Sequence, residues 1–121
     1  SSDLDNKMLW QKDKVKAYYT ELTDILRHYI YRRFGVPTLE RTSSEILFSL
    51  RNRQDIPREY YEQLHYILET SDFVKFARGK TTPDENEQCM QNARNFVRAT
   101  EPQPQKQEVD NTTNGDQKST P

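Results

Sequence analysis

The chain has 121 residues, with 18 Lys and Arg against 19 Asp and Glu, one Cys and three Gly. That is enough sequence for one domain and too little for two independent cores. The only hydrophobic residue beyond position 100 is Val109, so nearly all of the 32% hydrophobic fraction lies in the first part of the chain. The tail 101–121 sets Lys106 and Lys118 against Glu101, Glu108, Asp110 and Asp116, which leaves 16 cations against 15 anions in the body. A dedicated nucleic-acid binder is usually far more basic. A single Cys excludes an intrachain disulfide framework and a Cys-based zinc site. No apolar run approaches the roughly 18 residues of a membrane span, and the first residues lack the apolar stretch of a signal peptide.

The first element runs from about Asp13 to Phe34. Val15, Tyr18, Tyr19, Leu22, Ile25, Leu26, Tyr29, Ile30 and Phe34 recur three and four apart, the stripe of an amphipathic helix. Gly35 follows as a left-handed terminator, Pro37 prevents resumption, and Arg32 and Arg33 suit the dipole of the last turn. Thr42-Ser43-Ser44-Glu45 has the form of a capping box, opening a short helix with Ile46, Leu47 and Leu50 that ends near Asn52. Pro57 is expected in the first turn of a third helix, whose apolar face is Tyr60, Tyr61, Leu64, Ile67 and Leu68. Thr70-Ser71-Asp72 leaves two readings open, one bent helix or two short ones, before Phe73, Val74, Phe76 and Ala77, with Gly79 as terminal cap. Thr82-Pro83-Asp84-Glu85 repeats the starting pattern for a last helix with Cys89, Met90, Ala93, Phe96 and Val97, ending near Ala99. The Pro, Gln, Thr and Asn of 101–121 cannot offset the entropy of ordering, so a disordered tail is expected there. The fold expected is all-α, a long first helix packed with three or four shorter ones. Residues 1–10 read as a juxtamembrane or linker segment and 11–100 as the helical domain.

The sequence carries no nucleotide-binding glycine loop, no HExxH and no GxSxG. His28 and His65 fall on different helices, Cys89 on an apolar face, and Asp84, Glu85 and Glu87 in a first helical turn where acids serve the dipole. Asn111-Thr112-Thr113 fits a glycosylation pattern in a polar tail. These features point to a non-enzymatic domain without cofactor. Tyr18-Tyr19 and Tyr60-Tyr61 read first as core plus rim. The alternative is a protein-binding face, because Tyr and Arg dominate interface hot spots. On that reading Arg27, Tyr31, Arg32 and Arg33, near Tyr29 and Arg41, form the interaction site. A helix–turn–helix over residues 43–70 contacting DNA is the rival.

Several blocks resemble a known family in order and register. They are Leu9-Trp10-Gln11, Lys16-Ala17-Tyr18-Tyr19-Thr20-Glu21-Leu22, Arg33-Phe34-Gly35-Val36, Thr42-Ser43-Ser44-Glu45-Ile46-Leu47, Asp72-Phe73-Val74-Lys75-Phe76-Ala77 and Pro83-Asp84-Glu85-Asn86-Glu87. Over about residues 8–100 they resemble the C-terminal cytoplasmic region of uncharacterised bacterial, Bacteroides-like membrane proteins. These are encoded in aerotolerance (Bat) operons with MoxR-type ATPases and von Willebrand factor A proteins. The resemblance implies a soluble fragment of a protein anchored by a preceding transmembrane helix, at the cytoplasmic face of the inner membrane. It also implies a MoxR-type ATPase or von Willebrand factor A protein as partner.

Overall fold

The structure, a computed structural model, describes the backbone of residues 2–103 and the side chains of 12–103. The tail expected from 101 onward and the Asn111 pattern therefore lie almost wholly outside the described residues. Four helices follow one another, α1 (Ser2–Phe34), α2 (Ser43–Leu50), α3 (Arg58–Phe76) and α4 (Pro83–Thr100), with a 3-10 turn at Thr38–Glu40. No strand occurs among the described residues, and the all-α expectation holds. α1 begins at Ser2 rather than near Asp13, so helix also runs through the segment read as a linker.

α3 is the central element, packing against α1, α2 and α4. Its Leu64, Ile67, Leu68 and Val74 meet Tyr19, Leu22, Leu26, Ile30 and Phe34 of α1, Ile46, Leu47 and Leu50 of α2, and Cys89, Ala93 and Phe96 of α4. One member of the expected α1 stripe is misplaced: Ile25 is 60% exposed. It precedes Leu26 by one residue, about 100° around the helix, and the buried set follows 22, 26 and 30. Phe73 and Phe76 are likewise exposed rather than core, and only Val74 of that group joins the buried cluster.

Both capping boxes form. The Glu45 amide donates to Thr42 Oγ1 at 3.2 Å and the Thr42 amide to Glu45 Oε1 at 2.9 Å. The corresponding bonds at Thr82 and Glu85 are 3.1 and 2.8 Å. Pro57 is the N-cap of α3 rather than a first-turn residue, its carbonyl accepting from the Tyr60 and Tyr61 amides. Between the two readings of Thr70-Ser71-Asp72, the structure has one helix. Ser and Asp break helices by bonding their own backbone, but the Asp72 carboxylate is engaged by the Ser43 hydroxyl of α2 at 3.0 Å. Gly35 terminates α1 as expected, at φ +73° with its amide on the Tyr31 carbonyl at 3.0 Å. At the end of α3 the left-handed residue is Arg78, φ +53°, not Gly79. Gly79 is needed for a different reason: a Cβ there would lie 2.1 Å from the Phe73 ring.

The tyrosine pairs serve the interior and its rim. Tyr19 is fully buried and donates to Asn86 Oδ1 at 2.7 Å, while Tyr18 donates to the Asn86 carbonyl at 3.3 Å. Tyr61 donates to the Leu47 carbonyl at 2.9 Å, fastening α2 to α3.

Candidate functional site

The sequence-derived patch sits on the C-terminal half of α1, and the structure divides its members by where their polar atoms go. Arg27 turns toward the chain that follows the helix. Its Nη1 donates to the carbonyls of Thr38 and Arg41, each at 2.6 Å, and the Thr38 hydroxyl returns a bond to the Arg27 carbonyl at 2.5 Å. Thr38 is fully buried, so this reciprocal clasp satisfies groups that would otherwise be orphaned on desolvation. Arg33 reaches the far end of α4, where its Nε donates to the Thr100 carbonyl at 2.5 Å, one of the carbonyls a helix C-terminus leaves unpaired. Its guanidinium also lies 5.1 Å from the Phe34 ring centre, and Arg53 lies 4.8 Å from the same ring while forming a two-bond pair with Asp55. The Arg53 guanidinium holds the Asp55 carboxyl below the usual range.

Tyr29 belongs to the interior. Its ring meets Phe96 edge-on at 6.2 Å and its hydroxyl bonds Thr100 Oγ1 at 2.7 Å. Tyr31 and Arg32 remain on the outer surface. Ile25 and His28 of the same half of α1 are also exposed, and Leu39 projects from the 3-10 turn held by Arg27. The four residues named from sequence thus divide into two that lock the helix to its surroundings and two that present a side chain to solvent. Sequence reasoning missed Thr38 altogether, since a threonine between a proline and a leucine carries no periodic signal.

Compared with family models, curated proteins and solved structures, the chain has no match.

Among the described residues the two histidines and the cysteine stand on separate helices. No three His, Cys, Asp or Glu among the described residues stand close enough to share a metal ion. His28 Nδ1 lies 2.8 Å from the Asp24 carbonyl on α1, and His65 Nδ1 lies 3.7 Å from Glu69 on α3. Cys89 is fully buried, and burial pushes its thiol above the ordinary value against weaker opposing contacts with Tyr19 and Thr70. A neutral, enclosed thiol is a packing group rather than a nucleophile.

Proposed function

We propose that this chain is a non-enzymatic protein-interaction domain of a membrane-anchored bacterial protein, acting with a MoxR-type ATPase or a von Willebrand factor A protein at the cytoplasmic face of the inner membrane. The observation that carries the interaction reading is the exposure of large side chains on the C-terminal half of α1, where Tyr31 is 50% and Ile25 60% exposed and Arg32 is also exposed. Large exposed aromatic and aliphatic groups next to Arg are the composition of interface anchors. The partner class and the membrane anchor come from the resemblance of the sequence blocks alone. No helix among the described residues is long and apolar enough to cross a membrane.

The DNA-binding alternative fits less well. Its recognition element would be α3, whose outward positions include Glu59, Glu62 and Glu69, and Arg58 at its start is paired with Glu62 at 2.9 Å. Carboxylates along that surface repel phosphates.

The test is capture of a purified MoxR-type ATPase and of a von Willebrand factor A protein encoded beside the parent gene. The double variant Tyr31→Ala/Arg32→Ala should weaken capture with an unchanged thermal melt. Failure of the unaltered domain to bind either protein, or salt-sensitive micromolar binding to random duplex DNA that the double variant loses, would overturn the reading.

A further inference from the structure

A groove of about 420 Å³ opens between α1 and the segment joining α3 to α4. Lys12, Lys16, Lys75, Arg78 and Lys80 line it, with Asp13 as the one carboxylate in its wall. A chain of net charge −1 therefore gathers five cations around a single opening. None of the five takes part in an ion pair among the described residues. Lys75 is anchored by its Nζ on Thr23 Oγ1 at 3.2 Å. Burial and the adjacent Arg27 hold its ammonium below the ordinary value, opposed by Asp72 and Asp24.

Two features of the rim distinguish this groove from a simple concentration of lysines. Phe76 is 79% exposed, with Lys75 Nζ 5.8 Å from its ring centre, and the half-exposed Phe73 ring rests on Gly79 of the groove wall. Arg78 also holds a left-handed backbone, sparsely populated by residues other than Gly, Asn and Asp, and so carries a charge where glycine would be the unstrained choice.

We propose that this end of the bundle docks on an anionic lipid surface, with lipid phosphates against the groove's cations and Phe73 and Phe76 in the headgroup boundary. Basic residues near such a surface are attracted by its negative potential, and neighbouring apolar side chains add burial at the interface. A soluble anion would use the cations and leave both phenylalanines in water, which is why the lipid surface is the occupant that accounts for both. The proposal stands apart from the partner reading, since neither Tyr31 nor Arg32 lines the groove.

Co-sedimentation of the full chain with vesicles of phosphatidylcholine containing about one-third phosphatidylglycerol, against phosphatidylcholine alone, tests it. Binding is expected only to the anionic vesicles and should fall steeply with salt as screening shortens. The triple variant Lys16→Gln/Arg78→Gly/Lys80→Gln should lose about a hundredfold in partition, because each basic residue near the surface is worth about fivefold. Glycine suits φ +53° at position 78, so that change keeps the fold, which a circular-dichroism melt verifies. Phe76→Ala should weaken partition about tenfold. Equal partition onto both vesicle types, or no binding at low salt, overturns the proposal. So does calorimetric binding of inositol hexakisphosphate that is lost in the triple variant, indifferent to Phe76→Ala and unaccompanied by vesicle binding, because that pattern assigns the groove to a soluble phosphate.

Discussion

Tyr19→Phe removes a fully buried hydroxyl that ties α1 to α4. The substitution keeps the ring and its packing and removes the hydroxyl, whose main bond is the one to Asn86 Oδ1, 2.7 Å long, beside contacts with Cys89 and Thr81. Asn86 Oδ1 stays satisfied, because the Thr81 hydroxyl also donates to it at 2.6 Å. The expected loss is therefore that of one neutral hydrogen bond, about 0.5–1.5 kcal/mol. Asn86→Ala acts from the other side: it leaves the buried Tyr19 hydroxyl only its contacts with Cys89 and Thr81, and it also removes the acceptor of the Thr81 hydroxyl, a cost of about 1–3 kcal/mol. Truncating the asparagine should therefore cost more than removing the tyrosine hydroxyl. In the double variant the Tyr19 hydroxyl no longer exists, so the two effects should sum to less than their separate values. Urea unfolding at pH 7, with a shared slope, measures all three. A second axis is pH. Burial, followed by the contact with Cys89, pushes the Tyr19 hydroxyl well above the ordinary tyrosine value. The folded state thus holds that proton more tightly than the unfolded state. The associated stability is complete below the unfolded value of about 10 and is lost as pH rises beyond it. Tyr19→Phe lacks this loss, so the stability gap between it and the unaltered protein should narrow above pH 10. A Tyr19→Phe cost equal to or larger than that of Asn86→Ala, or a gap that widens with pH, would refute the reasoning.

Thr42→Ala and Thr82→Ala should each lower stability by roughly 0.5–2 kcal/mol in thermal or urea melts, and no change in either would remove the corresponding cap. Leu22→Ala and Phe96→Ala should each cost roughly 2–5 kcal/mol. Ile25→Ala, in the same stripe by spacing but facing solvent, should stay within about 0.5 kcal/mol. If Ile25→Ala proved as damaging as Leu22→Ala, the facing of α1 would be wrong.

Much of this architecture was legible wherever local chemistry decides the outcome. Both capping boxes and the Gly35 terminator follow from interactions completed within a few residues, and they stand where the sequence put them. Interior faces were read well where three- and four-residue spacing runs through the centre of the packed face, as at Leu64, Ile67 and Leu68, and poorly at its margins. Ile25-Leu26 offers two hydrophobic neighbours of which only Leu26 is buried, a choice that partner helices make. The same holds for Phe73 and Val74. α3 runs on through Thr70-Ser71-Asp72, where the Asp72 carboxylate accepts from Ser43, a partner far away in sequence. At the candidate site, Tyr31 and Arg32 needed only their position on the helix. The inward course of Arg27 and Arg33 needed the carbonyls of Thr38 and Thr100, which no pattern along the chain reveals. The cationic groove escaped sequence reading for the same reason, its cations coming from two short basic stretches, 12–16 and 75–80, that only the fold brings together.

The 33 residues of α1 run unbroken from Ser2 to Phe34 and contain neither proline nor glycine. At 1.5 Å per residue they make a rod about 50 Å long. Helix interiors bend sharply at proline, at glycine-serine pairs or at bulges, and this one has none of the residues that would supply a hinge. Mechanically it is a lever. A tilt imposed near Ser2 is transmitted along its length, and the first junctions to feel it are the Tyr19–Asn86 tether, the Arg27–Thr38 clasp and the Arg33–Thr100 bond. Force applied at one end would thus be delivered as shear between α1 and the elements it is tied to, the 3-10 turn and α4, and those polar bonds are where it would be resisted.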